Sequence, residues 1–214
     1  MAETIRTFVL PAFVLIAAVL AIWSQTKGRM RVHYVAKPLA TALIIIVAAL
    51  AATPVPAIYK TLILAGLLCS LLGDIALMFP EKWFTPGLVA FLAAQVLYVL
   101  AFKPAAGHPV SVMTFLPFIF FGLLMFFILA PGLGPMKLPV LVYIGAITAM
   151  AGFAASRYVD LGGTRPLLAF VGAVLFLVSD SVLAYDRFGK KFGLARILVL
   201  ATYFPAQLLI ALSV

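Results

Sequence analysis

Read along its length, the chain alternates long apolar runs with short polar or Pro/Gly-rich breaks. The runs have the length that crosses hydrocarbon as a helix, rather than the one-sided period of a soluble amphipathic helix. Eight transmembrane helices are predicted, at about Phe8 to Ile22, Leu39 to Ala52, Thr61 to Phe79, Phe84 to Phe102, Val110 to Ala130, Leu138 to Ser156, Leu167 to Tyr185 and Leu194 to Leu212. The first run follows Arg6 but lacks a small-residue cleavage site leading into a polar domain, so it reads as a helix and not as a signal peptide. Lys27 to Tyr34 reads as a basic loop, and Lys37-Pro38 opens the second helix with proline in its tolerated first turn. Thr53-Pro54-Val55-Pro56, Pro80-Glu81-Lys82, Lys103-Pro104 to Pro109, Pro131 to Pro135, Arg157 to Pro166 and Asp186 to Lys191 supply the remaining turns. The expected fold class is an all-α polytopic transmembrane bundle forming one integral membrane domain over residues 1–214.

Composition removes the soluble alternatives. Of the 214 residues, 66% are hydrophobic and only 10% charged, too few to cover a soluble domain. The net charge of +9 would suggest nucleic acid in a soluble protein. Here the predicted turns after the first, third, fifth and seventh helices, with Arg196 in the first turn of the eighth, hold ten of the fifteen Lys and Arg residues, which is the asymmetry of the positive-inside rule. Topology therefore accounts for the charge, no nucleic-acid partner is implied, and both termini are expected on the non-cytoplasmic side. In a bacterium the location would be the inner membrane. The single cysteine, Cys69, lies in an apolar run, excludes an internal disulfide and reads as a small buried residue.

Two acids stand out where hydrocarbon is expected: Asp74 in the third segment and Asp180 in the seventh. A charge at membrane depth costs at least about 2.5 kcal/mol, so each must face a bundle interior or a wet cavity. Gly73-Asp74-Ile75-Ala76-Leu77-Met78-Phe79 matches Ser179-Asp180-Ser181-Val182-Leu183-Ala184-Tyr185 as small-Asp-x-x-Leu-x-aromatic. Phe91 to Gln95 matches Tyr203 to Gln207, and Lys37-Pro38 has a looser echo in Lys137-Leu138-Pro139. A further expectation is thus two parallel four-helix repeats with a site between them. Helices three and seven would then run the same way, with the acids five or six residues from their ends, about 8 Å deep.

Gly66, Ser70 and Asp74 recur every four residues and share one helical stripe, as do Gly172, Phe176 and Asp180. Two carboxyls facing one poorly hydrated cavity cannot both ionise cheaply, which leaves one protonated acid beside one carboxylate, a general acid and a general base. Each aspartate could instead only glue helices together, with Ser179, Ser181 or a glutamine as partner. Gln95 with Tyr98, and Tyr203 with Gln207, lie about one turn apart and are candidates for ligand binding or for packing. Lys37, Arg29 and Arg31 read as topology signals that could also hold a phosphate at the rim. His33 and His108 fall in predicted loops, no metal-ligand spacing is present, and there is no Gly-x-Ser-x-Gly elbow. No metal or cofactor is called for.

Lys37-Pro38, Ser70 to Met78, Gly87 to Phe91 with Gln95 and Tyr98, Ser179 to Ala184, and Thr202 to Gln207 together resemble the YhhN-like lysoplasmalogenase family. The resemblance runs from the second segment to the eighth. It implies an integral membrane hydrolase that cleaves the vinyl ether of lysoplasmalogens to a fatty aldehyde and glycerophosphoethanolamine or glycerophosphocholine. It further implies that Asp74 and Asp180 are the catalytic acids and that the partners are a lysophospholipid and the bilayer; Lys37, Gln95, Tyr98, Ser179, Tyr203 and Gln207 are the candidate substrate-binding residues. A small proton-coupled transporter using the same aspartates is the alternative the residues leave open.

Overall fold

In hydrocarbon every backbone N–H and C=O must be paired within the protein, and the apolar runs meet that demand as helices. The structure, a computed structural model, describes residues 5–52, 55–79, 82–104 and 110–214. Its helices are α1 (Leu10–Thr26, entered through one π turn, Ile5–Val9), α2 (Met30–Ala49), α3 (Ala57–Leu77), α4 (Phe84–Phe102), α5 (Leu116–Leu129), α6 (Lys137–Leu161), α7 (Thr164–Phe188) and α8 (Ala195–Leu212). No strand occurs among the described residues. Seven stretches are long and apolar enough to cross a membrane, with α5 counted together with its flanking 3-10 turns as Val112–Gly132; α1 is shorter. The protein is an integral membrane helical bundle.

Several helix ends differ from expectation, and the largest differences are extensions into segments expected as loops. α2 begins at Met30, so most of the supposed basic loop is helical and Pro38 sits inside the helix instead of opening it. Proline costs a helix one hydrogen bond and a clash with the preceding turn, a loss that membrane bundles absorb through neighbouring groups. His33 is therefore a buried helical residue, with Nδ1–H donating to the Ala21 carbonyl at 3.0 Å. His108 lies outside the described residues. α6 and α7 run into the segment expected as a loop, leaving Gly162 and Gly163 as the turn, where φ values of 61° and 76° favour glycine. α7 also continues through Asp186 and Arg187 to Phe188.

Small residues let the backbones approach closely, the usual basis of packing where lipid removes the hydrophobic drive between helices. α3 packs most extensively on α4 and α7 on α8, and the two halves meet through α2 with α8 and α4 with α6. On the predicted stripes, Gly66 faces the Tyr98 ring, and a Cβ at Gly172 would lie 2.8 Å from the Ala206 carbonyl. At the centre Phe91, Phe176 and Tyr203 stack edge to face at 5.8 to 6.2 Å. Phe91 and Tyr203 are the first residues of the two matching segments, so the equivalent positions of the two halves touch. Phe84 and Phe188 meet at 5.9 Å, and Gly132 abuts the Phe188 carbonyl so closely that no side chain fits. These contacts bring the start of α4 and the ends of α5 and α7 to one basic end of the bundle.

Candidate functional site

Asp74 sits in the last turn of α3, where the stripe that carries Gly66 and Ser70 turns it inward; it is 1% exposed. Its Oδ2 accepts hydrogen bonds from Thr41 Oγ1 at 2.6 Å and Tyr203 Oη at 2.7 Å. Lys37 Nζ stands 3.1 Å from Oδ1 as an ion pair and donates to the Asp74 backbone carbonyl at 3.4 Å. One cation and two hydroxyls make this a nest for a carboxylate. His33, Lys37 and Thr41 follow at four-residue intervals on α2, so one face of that helix carries the whole row.

Asp180 lies more than two turns before the end of α7. Its Oδ2 accepts from Gln95 Nε2 at 3.0 Å and from the Tyr143 hydroxyl in a short hydrogen bond. Among the described residues no Lys, Arg or His forms an ion pair with it.

The acids are held in matching ways. Asp74 takes partners from α2 of its own half and α8 of the other; Asp180 takes them from α6 of its own half and α4 of the other. In this arrangement Tyr143 stands where Lys37 stands in the first half. The sequence echo with Lys137 is not structural, because Lys137 is exposed on the first residue of α6 whereas Lys37 is buried in the interior of α2. The expected equal distance of the two acids from their helix ends is likewise replaced by unequal ones, since α7 overruns its predicted end.

Two cavities meet here. A small one, about 270 Å³, is bounded by both acids together with Lys37, Phe91, Ser179 and Tyr203. A larger apolar groove, about 540 Å³, runs between α4 and α5 over a floor of α6 and α7, from Phe84 and Phe188 at the basic end down to Tyr143 and Asp180. Asp180 borders both, and Asp74 only the smaller.

Of the residues singled out in the sequence, Asp74, Asp180, Tyr203, Ser179 and Lys37 line the small cavity, and Gln95 reaches the site through Asp180 without lining either cavity. Tyr98 and Gln207 bond each other at 2.8 Å, both fully buried, one layer removed. Ser179 Oγ donates to the Val199 carbonyl at 3.1 Å and ties α7 to α8 while lining the small cavity. The rim position expected for Lys37 is corrected: the residue is buried and committed to Asp74. Arg29 stacks over Trp23 at 4.9 Å. Thr41 and Tyr143 were not singled out by sequence. The four-residue step from Lys37 to Thr41 was a usable signal; a tyrosine in an apolar span gave none.

A model of the YhhN family matches residues 32–214. Lysoplasmalogenase TMEM86B of Homo sapiens is 38% identical over 165 residues, 72% of this chain and 64% of that protein. Lysoplasmalogenase TMEM86A of Bos taurus is 35% identical over 159 residues, 72% of this chain and 65% of that protein. The uncharacterized membrane protein YhhN of Escherichia coli O157:H7 is 28% identical over 202 residues, 94% of this chain and 95% of that protein. The chain thus spans less than two thirds of the length of the two lysoplasmalogenases it matches. No solved structure gives a significant match.

Proposed function

The chain belongs to the YhhN family, and on that premise we propose that it is a membrane hydrolase cleaving the vinyl ether of lysoplasmalogens with Asp180 as general acid and Asp74 as general base. The activity carried by the names of its relatives supports the bond class. The division of labour rests on one observation: Asp180 borders both the apolar groove and the small cavity, while Asp74, ion-paired to Lys37, borders the small cavity alone.

A single-chain lipid enters the groove between α4 and α5, with its alkenyl carbons against Asp180. The neutral Asp180 protonates the distal alkenyl carbon, giving an oxocarbenium ion of the kind met in glycoside hydrolysis. Water in the small cavity loses its proton to the Asp74 carboxylate and adds to the cationic carbon, forming a hemiacetal. In its collapse Asp180 takes the hydroxyl proton, Asp74 returns its own to the glycerol oxygen, and the C–O bond breaks. Aldehyde and glycerophospho-alcohol leave, and both carboxyls regain their starting states. Lys37, Thr41 and Tyr203 hold and aim Asp74, and Gln95 and Tyr143 fix Asp180. Tyr98 and Gln207 brace the wall behind, and Ser179 holds α7 in place.

The test is aldehyde release from a lysoplasmalogen by the purified protein in detergent, with an ester lysophospholipid as control. Wild type should release aldehyde from the vinyl ether and leave the ester intact. Asp74→Asn and Asp180→Asn, folded, should each lose at least about 10²-fold. A folded wild type that releases no aldehyde overturns the reading, and accumulation of an uncleaved solute in proteoliposomes would replace it with transport.

A further inference from the structure

The groove leads from Asp180 to an exposed arginine to which nothing above assigns a role. Arg187 follows Asp180 by seven residues on α7, which is two helical turns and one face, so the two side chains are separated by about 10 Å along the axis. Its guanidinium lies over the Phe84 ring, 4.6 Å from the centroid, and Phe84 meets Phe188 edge to face at 5.9 Å. Phe84 and Phe188 both line the groove at the basic end. A cation is thus seated over an aromatic face on the lip of an apolar channel, and the residue that carries it is exposed. Among the described residues Arg187 forms no ion pair with a carboxylate.

We propose that Arg187, held by Phe84, is the anion site that receives the phosphodiester of a single-chain lipid whose glycerol and alkenyl ether span the groove to Asp180, the hydrocarbon leaving sideways between α4 and α5. The proposal rests on the hydrolase reading for the identity of the lipid, and on the groove and the arginine for its position. The distances agree. From the distal alkenyl carbon to phosphorus is a path of roughly seven bonds, about 9 Å when extended, which matches the two-turn step from Asp180 to Arg187. Guanidinium recognises phosphate oxygens through paired N–H donors, which a lysine cannot reproduce. Lys37, the other candidate for this task, is buried against Asp74 and cannot serve the lip. Arg187 therefore sets the register of the substrate: with the phosphate fixed at the lip, the vinyl ether falls at the acid.

Equilibrium binding of two uncleavable lipids separates this role from a packing role. One is 1-O-hexadecyl-glycerophosphoethanolamine; the other is 1-O-hexadecylglycerol, which has the same chain and no phosphate. Arg187→Gln should weaken binding of the phospholipid about tenfold or more, the loss of one charge-assisted contact, and leave the hexadecylglycerol unchanged, with Arg187→Lys in between. Equal losses for both lipids would make Arg187 a packing residue and overturn the proposal, as would no loss for either, or a wild type that binds neither. Because neither lipid can be cleaved, the outcome is independent of the aldehyde assay. Binding that follows this pattern in a protein without hydrolase activity would retain the anion site and discard the reaction. An unchanged Arg187→Gln beside an active wild type would do the reverse.

Discussion

Lys37 and Asp74 form a pair that water hardly reaches: their side chains are 10% and 1% exposed. Removing one member of such a pair leaves a buried charge without compensation, at a cost of about 3 to 5 kcal/mol. Lys37→Met is therefore expected to lower the thermal unfolding midpoint in detergent and to abolish aldehyde release. Adding Asp74→Asn to that variant should restore most of the stability and none of the activity. A double variant as unstable as Lys37→Met would show that Lys37 acts through packing alone. The same pair shows what can be read from residues. Ionisable and amide side chains stand out in apolar spans because hydrocarbon penalises them, so Asp74, Asp180, Gln95 and Gln207 were visible at once, whereas Lys37, expected ahead of its helix, read as a rim residue. Thr41 and Tyr143 were not, because a hydroxyl that can bond its own helix or reach an interface is ordinary in such spans. Which residue meets which acid was invisible too, since Thr41 and Asp74 are brought together only by the packing of α2 on α3.

At the scale of the element, the apolar runs located every helix but misplaced most of the ends. Hydropathy marks the part of a helix that needs hydrocarbon, and α2, α6 and α7 continue as helix into the polar layer, where Met30 to Val35, Arg157 to Leu161 and Asp186 to Phe188 still pair their backbones. Pro38 pulled the expected start of α2 inward by a preference that tertiary contacts override. The stripes of small residues, by contrast, had a local signature and the structure uses them. At Gly172 the obstacle to a side chain is backbone, the Ala206 carbonyl and the Ile210 N–H, which cannot rotate away. Gly172→Ala should thus cost about 1 to 3 kcal/mol through overpacking. Gly145→Ala on α6, where an added Cβ meets nothing within 4 Å, should be neutral or stabilising by less than about 1 kcal/mol. Thermal unfolding of the two purified variants side by side checks both, and equal midpoints would refute the close α7–α8 approach.

At the scale of the molecule, the two halves exchange partners across the centre, so neither acid is complete within its own half. The duplicated motifs made two equivalent acids legible in the sequence. Their inequivalence, a cation at one and neutral donors at the other, comes from Lys37 in one half and Tyr143 in the other, positions that no sequence motif aligned. The groove between α4 and α5 is walled on one side by α5, whose span is only 11% buried and shows Phe120 and Phe127 to the surroundings at 71% exposure each. Under the proposed reaction, a channel bordered by so peripheral a helix would draw its substrate sideways from the lipid phase and not from bulk water. A hydrolase fed in this way counts molecules per unit of membrane. With total substrate held constant, dilution by inert phospholipid should lower the initial rate in proportion to the mole fraction of substrate, while changing the volume of buffer at fixed lipid composition should leave the rate per enzyme unaltered. How thinly the substrate is spread in its own leaflet, and not how much of it a cell contains, would then govern turnover.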